Sequence, residues 1–140
     1  MELAIKKLHP AAQLPSFAHA TDAGLDLVCV EEVVLAPGGR MGIRTGLALA
    51  IPDGYVGLVW DKSGLSFKQG LKTLGGVIDS GYRGEVMVGI INLGDAPYTI
   101  EAGQKIAQLL IQKIEQPRII EVTELPESDR GAKGFGSSGK

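Results

Sequence analysis

The chain has 140 residues and a net charge of −2, so one domain with a substantial core is expected. No polybasic run marks a nucleic-acid surface and no apolar stretch is long enough to span a membrane, so neither is expected as a partner. A single cysteine, Cys29, excludes an internal disulfide and, with no leader-like stretch, points to a reducing, cytoplasmic setting.

The 20 glycines and 7 prolines are spread along the whole chain, the distribution of many short strands joined by tight turns. Leu3 to Leu8 reads as an edge strand that His9-Pro10 ends. Residues 11–24 are irregular. Leu25 to Val30 is a short apolar strand interrupted by Asp26. An acid in such a run needs partners if buried, and a structural aspartate and a site residue are both open readings. Cys29, in the same run, reads as packing rather than as a nucleophile. Val33-Val34-Leu35 is a strand, Pro37-Gly38-Gly39 a turn, and Arg40 to Ile51 a longer strand. Gly42 and Gly46 mark bulges or close backbone approach within it. After the Pro52-Asp53-Gly54 turn, Tyr55 to Trp60 is a strand running into Asp61-Lys62-Ser63-Gly64. Residues 64–69 read as one short helix with Ser63 as N-cap.

The stretch Gly75-Gly76-Val77-Ile78-Asp79-Ser80-Gly81-Tyr82-Arg83-Gly84-Glu85 reads as a β-hairpin tip projecting one acid and one ring. Asp79 either caps its own turn or abstracts a proton from something small. Tyr82 is either half-buried core or a platform for a flat ligand. On the strand that follows, Val86, Val88 and Ile90 share one face and Met87, Ile91 and Leu93 the other. Both faces are apolar, which a small sandwich does not cover, so a subunit interface is expected here. Lys105 to Ile114 has apolar residues at helical spacing, but the preceding glycine turn and the β-rich context favour a strand. A last strand is expected over Arg118 to Val122. From Pro126 the composition changes, and residues 127–140 are too poor in apolar groups to pack. The expected organisation is a β domain over 1–126 and a mobile segment over 127–140. That segment is either a linker or, through glycine and serine amides and Arg130, a wrap for polyphosphate.

Several chemistries are excluded. One cysteine and two histidines, His9 and His19, in no ligand spacing, make no zinc site. There is no G-x-S-x-G, no Walker A loop and no dinucleotide fingerprint. Lys62, with the amides after Ser63, has the groups to hold a phosphate.

Five segments, taken in order, resemble the motifs of the trimeric deoxyuridine triphosphatase (dUTPase) family. They are Ala23-Gly24-Leu25-Asp26-Leu27, Lys62-Ser63-Gly64-Leu65, Gly76 to Gly84, Lys105-Ile106-Ala107-Gln108-Leu109 and Arg130 to Gly139. The third and fifth are the specific ones. The resemblance implies an all-β, distorted jelly-roll fold with one short helix and a flexible tail. It implies a homotrimer with active sites shared between subunits, and hydrolysis of dUTP to dUMP and pyrophosphate with Mg²⁺. That reaction limits uracil incorporation into DNA and supplies dUMP for dTMP synthesis.

By the same resemblance, Asp79 is the base that orients and deprotonates water for attack at the α-phosphorus. Tyr82 stacks on the deoxyribose. The backbone from Thr73 through Val77 and Ile78 reads uracil, with Met87 at the same pocket. Lys62, Ser63, Gly64 and Gln108 hold phosphates. Arg130, Phe135, Gly136, Ser137 and Ser138 close a lid over base and phosphates. Mg²⁺ is held by the substrate phosphates with no direct protein ligand, and Asp26 acts near it through water.

The sequence departs from the family pattern at several of these places. Lys62 and Lys105 stand where arginine is usual, and a lysine lacks the bidentate grip. Asp61 replaces a proline and sets a negative charge beside the expected phosphate site. Lys133 replaces a lid glycine, and Thr73 falls near an asparagine found in some members. Three other readings are a dCTP deaminase-related enzyme, a non-catalytic nucleotide-binding relative and a plain β-sandwich interaction module. The Lys62-Ser63-Gly64 segment and the Gly/Phe tail speak against the first, and the retained Asp79 against the second. The third makes the ordered set of five motifs a coincidence.

Overall fold

Short alternating segments punctuated by glycine and proline fold into antiparallel sheets, and the computed structural model describes residues 1–134 of them. The strands are β1 (Ala4–Lys7), β2 (Leu25–Val28), β3 (Val33–Leu35), β4 (Arg40–Ala50), β5 (Tyr55–Asp61), β6 (Leu71–Leu74), β7 (Val77–Ile78), β8 (Glu85–Asn92), β9 (Tyr98–Ile100) and β10 (Lys105–Lys113). One helix, α1 (Ser63–Gln69), follows β5. The first sheet has the order β1-β4-β8-β6, the second β2-β10-β5-β7, and β3 pairs with β9 alone. All pairings are antiparallel, as expected for an all-β chain with short connections.

The core lies between the two larger sheets. Leu27, Ile106 and Leu109 enter it from one side and Ile43, Val86, Val88 and Ile90 from the other, all at most 2% exposed. Each such side chain contributes about 1.5–3 kcal/mol of burial free energy. Gly46 sits at φ 67°, where the β4–β8 register shifts, and a Cβ there would stand 2.7 Å from His9. The bulge expected at this glycine is therefore present.

Three expectations are corrected. The Gly75–Glu85 stretch is not a hairpin tip, because its flanking strands lie in different sheets. β7 pairs with β5, whereas β8 pairs with β4 and β6. Gly75 (φ 68°) and Gly76 (φ 103°) adopt backbone conformations closed to other residues, and the chain crosses there from one sheet to the other. No strand forms over Arg118 to Val122. Those residues are exposed, Ile119 at 86%, and pair with no strand of their own chain. The helix begins at Ser63 with Lys62 as N-cap, and no side chain caps it. Within its own chain β8 is covered on one face only, with Met87 and Leu93 45% and 65% exposed. The apolar outer face is as anticipated, but no second layer of the same chain lies over it.

Candidate active site

Two clefts on different elements gather most of the residues singled out by sequence. The first has a volume of about 210 Å³ and is lined by Val59, Gly76, Val77, Ile78, Asp79, Tyr82, Glu85, Val86 and Met87. Complete ligand pockets run to roughly 300–1,000 Å³, so this cleft alone is small for one.

Its geometry follows from the glycines around it. Tyr82 N–H donates to the Asp79 carbonyl at 3.0 Å, closing a tight turn that turns the carboxylate outward. Arg83 braces that turn by donating to the Ser80 and Tyr82 carbonyls. The Tyr82 ring lies across Gly84, where a Cβ would stand 2.5 Å from the phenol oxygen. The Tyr82 hydroxyl donates to the Glu85 carbonyl at 2.9 Å, which fixes the ring while leaving it 46% exposed.

Two carboxylates line this cleft, and their situations differ. Glu85 accepts from Arg44 Nε at 3.2 Å and from Gly46 N–H at 2.8 Å, so its charge is spent on β4. Asp79 is exposed, and among the described residues no group bonds to its carboxylate. Its carboxylate lone pairs are uncommitted.

The second cleft, about 370 Å³, is lined by Asp22, Ala23, Gly24, Asp26, Lys62, Ser63, Gly64 and Gln108. Here the chemistry rests on a buried acid. Asp26 is 3% exposed and opposite Gln108 in the β2–β10 ladder. Lys62 Nζ donates to its Oδ1 at 2.5 Å, and Lys105 Nζ lies 2.7 Å from its Oδ2. Burial pushes the Asp26 carboxyl up, but Lys105 and Lys62 more than offset this and hold it below the usual carboxylate range. Asp26 and its two lysines together carry one net positive charge, and Asp22, also on the cleft wall, brings a negative one. Gln108 fits because residue 24 is glycine, where a Cβ would stand 2.4 Å from its Oε1. Gln108 Nε2 in turn donates to the Asp61 carbonyl at 2.9 Å. Gly64 faces open space, with nothing within 4 Å of where a Cβ would be.

The remaining candidates fall elsewhere. Thr73 lines a neighbouring cleft with Trp60, Lys72, Gly75, Gly76 and Val77. Its hydroxyl and N–H both donate to Asp61 Oδ1, at 2.8 and 2.7 Å. The Asp61 carboxylate thus points at β6, with Lys72 Nζ 2.8 Å from its other oxygen. The negative charge anticipated beside the phosphate site is neutralised on the far side of the strand. Arg130 lines neither of the two principal clefts and donates to its own backbone at Lys133 and Gly134. Phe135, Gly136, Ser137 and Ser138 lie outside the described residues. Sequence reasoning missed the role of Lys105 as the second partner of Asp26, for which the signal was only two lysines at usual arginine positions. Among the described residues no three acids, cysteines or histidines cluster in a way that holds a metal ion.

The dUTPase family model matches residues 11–139. The chain belongs to the dUTPase family. A deoxyuridine 5'-triphosphate nucleotidohydrolase of Thermobifida fusca is 49% identical, covering 96% of this chain and 77% of that protein. One of Mycobacterium leprae is 48% identical over 98% of this chain and 94% of its own. Among solved structures, a Staphylococcus bacteriophage 80alpha dUTPase with dUPNHPP superposes at a TM-score of 0.94 and 38% identity, covering 99% of both chains. A mutant dUTPase of phage phi11 of S. aureus, reported for its structural Mg(II) ion, has a TM-score of 0.83 and 35% identity, covering 89% of this chain and 98% of its own. The fold of this dUTPase-family chain is therefore that of its relatives over nearly its full length. No helix among its described residues is long and apolar enough to cross a membrane.

Proposed function

We propose that this protein hydrolyses dUTP to dUMP and pyrophosphate by attack of water at the α-phosphorus. The observation that carries the reading is the free carboxylate of Asp79 beside a ring fixed by its own backbone, in a chain of the dUTPase family. Asp79 orients the attacking water and takes its proton. Tyr82 stacks on the sugar and leaves no room for a 2′-hydroxyl. The backbone of Gly76 to Ile78 meets the base. A donor–acceptor pair matched to uracil leaves groups unpaired against cytosine, which presents the opposite pattern.

Lys62, Ser63, Gly64 and Gln108 hold the phosphates of a substrate whose base sits on another subunit. That the two clefts share no lining residue supports such sharing, as do the exposed outer face of β8 and the exposed Ile119, Ile120, Val122 and Leu125. The assembly proposed is a homotrimer in which residues 127–140 of one subunit close over a site of its neighbour. From Glu127 the segment reaches at most roughly 50 Å when extended. Mg²⁺, when bound by the phosphates, neutralises charge on the leaving pyrophosphate. Asp26 is held between two lysines and acts by placing them. The setting proposed is cytoplasmic, where the reaction keeps uracil out of DNA and supplies dUMP for dTMP.

The test is to incubate the protein with Mg²⁺ and dUTP, dCTP, dTTP or UTP and to assay both pyrophosphate and ammonia. Pyrophosphate from dUTP alone is expected. Ammonia from dCTP would make it a deaminase, and binding of dUTP without product would make it a non-catalytic relative.

A further inference from the structure

We propose that Asp61 is a positioning residue for base discrimination, holding the Thr73–Ile78 segment against the strand that leads into Lys62. Its link to the base rests on the functional reading above, while its geometry stands apart from it. β6 is the edge strand of its sheet, so the backbone groups of Thr73 that face away from β8 have no ladder partner. An unpaired, partly buried N–H there is costly. The Asp61 carboxylate takes it, together with the Thr73 hydroxyl, and Lys72 holds the other carboxylate oxygen. These are charge-assisted bonds, stronger than neutral ones. Asp61 ends β5 of the other sheet, so its side chain stitches the two sheets at one edge.

What lies just downstream gives the stitch its consequence. Gly75 and Gly76 follow with positive φ and no side chains to stiffen them. The segment is next held at Gly76, whose carbonyl accepts from Val59 N–H at 2.8 Å, and at Val77 and Ile78, which pair with Leu58 and Gly57. Residues 76–78 are a wall of the cleft that holds Asp79 and Tyr82. Upstream of that wall the β6–β8 ladder runs as far as Leu74, and Asp61 braces the free side of that strand at Thr73. Backbone that reads a base by hydrogen bonds must be held within about 0.5 Å to discriminate. The same residue's carbonyl accepts from Gln108, so Asp61 also ties this wall to the phosphate cleft. Burial raises the Asp61 carboxyl, but Lys72 and Thr73 bring it below the usual range, so the tie is charged at neutral pH.

The test compares Asp61→Ala and Asp61→Asn with the native protein, by kcat/KM for dUTP against dCTP and by amide hydrogen exchange over residues 74–79. Asp61→Ala is expected to narrow the dUTP preference about tenfold, acting mainly through KM for dUTP. It should also speed exchange over 74–79 while leaving β10 protected. Asp61→Asn keeps an acceptor for Thr73 and should recover most of both. A folded Asp61→Ala protein with native preference and native exchange overturns the proposal. Faster exchange with an unchanged preference refutes the role in discrimination. If the native protein does not hydrolyse dUTP, the functional reading fails, and the exchange data alone decide whether Asp61 anchors the segment.

Discussion

The two clefts of this molecule are built in opposite ways. The one holding Asp79 and Tyr82 comes mainly from a short run of consecutive residues, shaped by glycines and by main-chain bonds within the run. Its key acid is exposed and uncommitted. The one holding Lys62 and Gln108 is assembled from β2, α1 and β10 with the loops beside them, and its acid, Asp26, is buried between two ammonium groups. A reacting carboxylate needs its lone pairs free, whereas a carboxylate that places cations needs them taken. On the proposed function, the difference between the two aspartates is the division between chemistry and grip.

Breaking the first cleft at its acid should give the largest effect. Asp79→Asn is expected to lower kcat about a thousandfold while dUTP binding, measured by calorimetry, stays near native. An active variant would remove Asp79 as the base. Breaking the second at its acid should instead act on stability. Asp26→Asn leaves two ammonium groups facing an uncharged amide and should cost about 2 kcal/mol in urea unfolding. The sign of its pH dependence follows from the lowered carboxyl. The stabilisation is fully present above the ordinary value near about pH 3.9 and is lost as pH falls through the lower folded value. The native protein should therefore lose stability in strong acid more steeply than Asp26→Asn. Parallel acid curves would mean that the buried charge does not act as described. The smallest change is a single methyl. Gly84→Ala would displace the Tyr82 ring, and KM for dUTP should rise about tenfold with thermal stability little changed. An unaltered KM would show that the ring orientation does not matter.

The contrast also explains what the sequence disclosed. Asp79 and Tyr82 stood out because the first cleft is contiguous in the chain, and a glycine-rich run flanking an acid and a ring is a local signal. Most strands were legible from alternation, including β10, where helical spacing competed. The sheet partners were not. Nothing in Val77-Ile78 says that it pairs with Leu58 rather than with the strand that follows, because that choice is made by Gly75 and Gly76 and by the fit of Gly76 against Val59. The expected last strand failed for a related reason. Ile119, Ile120 and Val122 have strand composition, but composition does not say whether a segment docks on an edge of its own chain, and this one does not. In the second cleft, Asp26 was readable only as an acid that needed partners. That Lys62 and Lys105 are those partners depends on the registers of β2 and β5 against β10, set by the whole sheet. The direction of Asp61 was hidden likewise, since its bonds run to Thr73, twelve residues on.

A working site is proposed to join the Asp79 cleft of one subunit to groups supplied by another. This sharing is tested by mixing two inactive forms, Asp79→Asn and a chain ending before Arg130, under conditions where native mass spectrometry shows that subunits exchange. Each form alone lacks one half of every site. At equal amounts, half of the sites carry an intact Asp79 and half of those receive an intact tail, so about a quarter of native activity should return. Exchanged, mixed assemblies that stay inactive would contradict the claim and place the whole site within a single chain.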